Sequence, residues 1–192
     1  MVSTRTQSDQ FPATIGFRSK KAAQAAAFFA AQENKRIEKL KLIKLLYLSE
    51  RESYKRRGRP MFFDEYYSLK HGPICSNALN GINGNLDKGI WAKNVKLKNS
   101  RDVELVRERL GLDEFSKSDI NILRDVWQSF GWMNAPQIRK WTHQNCPEYV
   151  EVDVGRLPIT PREILDALGI DDADNLAKQI EEYRHFEAMT SA

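Results

Sequence analysis

Only two cysteines, Cys75 and Cys146, occur in the 192 residues. That is too few for a disulfide framework, so a reducing compartment, the cytoplasm, is the expected location. No run approaches the roughly 18 apolar residues that a membrane-spanning helix needs. The opening segment, MVSTRTQSDQFPATIGF, lacks the apolar central region of a secretory signal. No glycine loop of the phosphate-cradling kind is present: GINGN at 81–85 has neither the lysine nor the preceding strand and spacing. No pair of CxxC motifs, internal repeat or low-complexity linker occurs. These absences argue against secreted, membrane-spanning and P-loop proteins.

What is present is an ordinary globular composition, 41% hydrophobic and 29% charged, in a length that buries a core without metal or disulfide staples. The net charge of +4 is unevenly spread. Residues 35–60 hold ten Lys/Arg against three Glu, whereas residues 161–192 hold eight Asp/Glu against three Lys/Arg. A split of this kind makes two surfaces of opposite potential, each attractive to a different partner.

The periodicity predicts a mainly helical α+β fold: one domain over 19–192, behind a loose arm at 1–18, with a small antiparallel sheet in the middle. KKAAQAAAFFAAQ favours helix strongly, anchored by Phe28 and Phe29. In RIEKLKLIKLLYLSERESYKRRG, Ile37, Leu40, Ile43 and Tyr47 recur at helical spacing, and further leucines widen the apolar face nearly all round. Such a helix belongs at the centre of its fold. Gly58 is its expected stop. A short strand is expected at Glu65–Leu69, a short helix opened by Pro73, and a hairpin from WAKNVKL and DVELVR. Ser116 with Asp119 and Thr160 with Glu163 read as helix caps, as does Asn134 followed by Pro136. A final acidic helix runs from about Asp172 to Phe186.

Several constellations could carry chemistry. His71-x3-Cys75 and His143-x2-Cys146 supply four potential zinc ligands, although His and Cys are mixed within each pair and Pro73 separates one of them. Either cysteine with a histidine beside it could be a nucleophile, and Asp64 or Glu65 a base, yet no established signature surrounds any of them. SKSDINILRDVWQSFGWMNAPQIRKWTHQN, spanning 116–145, has the outline of a helix-turn-helix whose second helix would present Gln137, Arg139, Lys140, Gln144 and Asn145 to DNA. A rigid His-Gly-Pro turn beside aromatics and a basic helix end would equally make a protein-docking patch.

Three segments in this order carry a resemblance: KLIKLLYLSERESYKRRGRP, YYSLKHGP and WTHQNCPEY. With Lys41, Leu42, Lys44–Tyr47, Gly58-Arg59-Pro60, His71-Gly72-Pro73 and Trp141-Thr142-His143, the chain resembles the Panacea domain family, the SocA-like antitoxins of bacteria and phages, over about residues 20–170. The resemblance implies a non-enzymatic antitoxin that binds and neutralises a cognate toxin encoded beside it, with no catalytic residue, cofactor or metal. One branch resembles adaptors that hand the toxin to an AAA+ protease. DNA binding as a regulator, and a homodimer, are alternatives. The contact surface is expected at the basic end of the second helix and the face near the turn: Tyr47, Arg51, Tyr54, Arg59, Lys70, His71, Gly72, Pro73, Trp141 and His143. The His71 imidazole is expected to tie the aromatic strand to the core helix, through Tyr47 or backbone carbonyls.

Overall fold

The computed structural model describes residues 15–106 and 110–190. Of the arm expected over residues 1–18, residues 1–14 lie outside this range, and its last residue is anchored: the Arg18 N–H donates to the Phe62 carbonyl at 2.8 Å. Eight helices and six short strands follow in the described residues: α1 (Ser19–Gln32), β1 (Arg36–Glu38), α2 (Lys39–Arg57), β2 (Tyr66–Leu69), β3 (Gly72–Cys75), α3 (Ser76–Ile82), α4 (Lys88–Trp91), β4 (Val95–Leu97), β5 (Asp102–Leu105), α5 (Lys117–Phe130), α6 (Ala135–Asn145), β6 (Leu157–Ile159), α7 (Pro161–Ala167) and α8 (Ala173–Thr190). The strands form two three-stranded antiparallel sheets, ordered β1-β5-β4 and β3-β2-β6. The fold is mainly α with small sheets, as the periodicity predicts.

Helix α2 is the axis. It packs against α1, α5, α6, α7, β1 and β3, and every residue from Lys41 to Glu50 is buried. The alanines of α1 are small enough for close approach, and Ala22, Ala23, Ala25 and Ala26 are fully covered. Helix α2 ends where expected, at Gly58 in the left-handed conformation, whose N–H bonds to the Tyr54 carbonyl. Its start is later than the periodicity suggests. Arg36–Glu38 pair with β5 in register Ile37↔Val103, because sheet pairing outweighs a marginal helical preference at a helix end.

Buried carboxylates then fix the loops. Glu50 of α2 accepts from the Met61 backbone, from Phe62 N–H at 3.0 Å and from Tyr66 Oη at 3.0 Å, which holds 60–66 over the core helix. Asp64 accepts from the N–H groups of Asn77 and Ala78 at 2.8 and 2.9 Å, satisfying the exposed donors at the start of α3 from a distant part of the chain. The capping boxes at Ser116 and Asn134, and that at Thr160, form as the sequence indicates. Pro73 does not open a helix. It lies inside β3, paired opposite Ser68, and α3 begins three residues later. Strand β6 is one of the two outer strands of its sheet, with Pro158 at its centre opposite Tyr67.

Candidate functional site

The stretch Leu69–Pro73 is a tight hairpin between β2 and β3, with Leu69 opposite Gly72 and only Lys70 and His71 in the turn. The positive φ falls on Gly72, at +95°. A side chain there would be strained, and its Cβ would sit 2.6 Å from Lys44 Nζ and 3.0 Å from the His143 ring. Glycine is required twice over, by conformation and by space.

Those close approaches are part of a grip on the turn's carbonyl oxygens. Lys44 Nζ of α2 donates to the Pro73 carbonyl at 2.7 Å. Arg139 Nη2 of α6 reaches the Lys70 carbonyl at 3.3 Å. Tyr149 Oη, just past α6, donates to the Leu69 carbonyl at 3.1 Å, and its ring lies 4.5 Å from that of His143. The Val150 N–H reaches Ser68 Oγ at 3.1 Å, stitching the same segment to β2. Three elements thus hold one short turn while Lys70 and His71 stay exposed.

Helix α2 supplies the seam beneath. Lys44, Tyr47 and Arg51 lie on one face at helical spacing. Tyr47 Oη donates to Glu148 Oε1 at 2.7 Å, and Arg51 Nε reaches the same oxygen at 2.9 Å. One turn earlier, Lys41 Nζ donates to the Gly131 carbonyl at 2.7 Å, at the α5–α6 connection. Burial pushes the Lys44 ammonium down to about 7, with the positive charge of Arg139 acting in the same direction. Burial also lowers the His143 imidazole, helped by the charges of Arg139 and Lys44. Near neutral pH the site therefore holds less positive charge inside than its residues suggest.

The expected contact residues separate under this geometry. Tyr47 and Tyr54 are fully buried and cannot touch a partner; they hold the frame. Gly72 and Pro73 are buried and shape the turn. Arg51 is half-buried, committed to Glu148. Lys70 and His71 are exposed, His143 is half-buried beneath them, and Trp141 is half-buried with its ring edge-on to Phe130 at 4.6 Å. Arg59 is exposed but lies elsewhere, in a 220 Å³ cleft with Phe63, Leu176 and Tyr183. His71 is not the tie to the core helix. It points to solvent, and Lys44 makes that connection from below.

All three residues of the grip, Lys44, Arg139 and Tyr149, and Glu148 in the seam beneath, lie outside the contact set expected from sequence, where Arg139 reads only as a DNA-facing residue. A signal for Lys44 existed: a lysine in a helix apolar all round has no solvent face to occupy, so it must find a carbonyl or carboxylate inside.

Neither cysteine is poised as a nucleophile. Both are buried, and burial pushes the Cys146 thiol up to about 12 and Cys75 well above its ordinary value, so neither is a thiolate. Among the described residues no three His, Cys, Asp or Glu side chains come together as a metal site. No helix among them is long and apolar enough to cross a membrane. The exposed face of α6 does carry Gln137, Lys140, Gln144 and Asn145 outward, as the helix-turn-helix outline requires, while its other face packs on α2 and β3.

Comparison with curated proteins and with solved structures gave no match. The family model described as antitoxin SocA-like, Panacea domain, matches residues 42–148. That span begins in α2 and closes on Glu148, so it contains the turn and all of its grip but Tyr149. The chain belongs to the SocA-like antitoxin family, built on the Panacea domain.

Proposed function

We propose that this protein neutralises a toxin by binding it directly, through the surface made by the Lys70-His71 turn and the adjoining face of α6. The observation that carries the reading is the grip itself. Three side chains from separate elements satisfy the carbonyls of a turn whose two tip residues face solvent. A turn held in this way loses little conformational freedom on binding, which is how preorganised loops gain affinity. Neutralisation is by covering the toxin's working surface, with about 800 Å² contributed by each partner, and no covalent step.

The test is co-expression with small open reading frames adjoining the gene. The expected result is restored growth and a complex that co-purifies. His71→Ala should weaken the complex while leaving thermal stability nearly unchanged, since the side chain is exposed. Gly72→Ala should cost both, by about 2–4 kcal/mol in stability from the strained φ and the overlap with Lys44. Normal neutralisation by a well-folded His71→Ala, Lys70→Ala double variant would overturn the assignment of the surface. Rescue that disappears in cells lacking an AAA+ protease, with no stable complex, would favour delivery to proteolysis instead.

A further inference from the structure

Beside the turn, Pro136, Arg139, Lys140, His143 and Gln144 line an open groove of about 320 Å³ along α6. No acidic residue lines it. Arg139 spends one N–H on the Lys70 carbonyl, at a long 3.3 Å, and neither it nor Lys140 or Lys70 has an ion-pair partner among the described residues. The carbonyl contact steadies a guanidinium whose remaining donors stay open, the arrangement that takes a carboxylate with two parallel hydrogen bonds. Lys70 and Lys140, both exposed, add positive charge around it.

We infer that this groove is the anchor for an acidic segment of the partner, with an Asp or Glu carboxylate seated on Arg139 between Lys70 and Lys140. The inference rests on the toxin-binding reading above and adds the chemistry of the toxin surface to it. Two features set the occupant's size and charge. The volume admits one or two side chains, where a nucleic-acid strand needs a track that follows its backbone. The carboxylate of Glu151, exposed and close enough to act on His143 and Tyr149, costs a polyanion far more than one short acidic segment. The charge complementarity then steers encounter as well as register.

The probe is a short Glu-Gly repeat peptide titrated into the isotope-labelled whole chain, beside its Gln-Gly and Lys-Gly counterparts. Saturable shifts at Arg139 Nε–H, His143 and the Lys70–Gly72 amides are expected with the Glu peptide alone. Arg139→Gln should weaken them about tenfold, as loss of a bidentate pair does. Lys140→Gln, at an exposed position, should weaken them less and cannot be ascribed to misfolding. Arg59→Gln, at the other basic surface, should leave them unchanged. Shifts centred on Lys55–Arg59, shifts without saturation, or displacement of the peptide by a duplex oligonucleotide at lower concentration would each overturn the inference. In cells, loss of rescue by Arg139→Glu with Lys140→Glu supports it. Rescue that survives that double reversal overturns the anchor but leaves direct neutralisation standing. If the unsubstituted protein rescues against no neighbouring product, the broader reading fails, and the peptide titration alone decides the groove.

Discussion

Lys44 concentrates the physics of the site in one side chain. It is wholly buried, yet its amine has one acceptor, the Pro73 carbonyl. Burial moves its titration from 10.5 to about 7 in the folded chain. Between those values the unfolded chain holds a proton that the native chain has released, so the contribution of Lys44 to stability rises with pH across that window. Lys44→Met keeps the volume and removes the titration. Urea midpoints measured from pH 7 to pH 10 should therefore climb more steeply in the unsubstituted protein than in the variant. Parallel curves would show that the amine titrates normally and is hydrated in a way its burial does not suggest. The variant also leaves the Pro73 carbonyl without its donor, at a cost of about 1–3 kcal/mol, so its loosened turn should exchange amide hydrogens faster. The lysines of KLIKLLY are legible in sequence as misfits in an apolar helix. Which carbonyl each one finds is not, because the acceptors lie 90 residues on for Lys41 and 29 for Lys44.

At the scale of elements, Asp119 joins three helices. It caps α5 through Ser116, bonds Lys21 of α1 at 2.8 Å and Arg57 of α2 at 2.7 Å. Burial alone would raise its carboxyl; hydrogen bonds from Lys21, from the Ser116 backbone and from Arg57 outweigh that and hold it far below the usual carboxylate range. Its contribution is present above pH 3.8 and lost as pH falls below it. Asp119→Ala removes the reciprocal half of the capping box and leaves Lys21 buried without its partner, a loss of about 3–5 kcal/mol. The variant should also show a shallower acid limb in thermal melts against pH; a loss under 1 kcal/mol would mean that the lysine escapes to solvent. The capping residues were readable because a box is local, spanning four positions. Strand β2 and the β4–β5 hairpin were readable too, from an aromatic run and from two short apolar runs either side of a turn; β1, β3 and β6 were not. β1 and β6 have three residues each, β6 contains a proline, and both exist only through partners 64 and more residues away. Pro73 misleads for the same reason: its local preference for a helix start yields to pairing with Ser68.

At the scale of the molecule, the family match ends at Glu148, but the fold does not. Helix α8 returns to the core: Tyr183 stacks on Phe63 at 4.8 Å, and Arg184 Nη2 donates to the Asp64 carbonyl at 2.6 Å. That carbonyl belongs to the residue that caps α3, so the acidic helix steadies the approach to the turn from behind. Arg184→Ala should cost about 1–3 kcal/mol through the orphaned carbonyl and raise hydrogen exchange at 60–66 before anywhere else. Exchange unchanged there would separate α8 from the site. The charge division between 35–60 and 161–192 was plain in the sequence, whereas the docking of the acidic helix onto the end of the basic one depends on packing that no local pattern encodes.

Pro158 has a further consequence. It sits mid-way along the edge strand β6, and proline offers no N–H to a neighbour. An extended segment arriving at that margin, from a second copy or from an unfolding chain, would lack the donor that the next rung needs. Growth of the sheet at this margin halts at one pyrrolidine ring, so the β6 side is spared edge-to-edge stacking with its own kind.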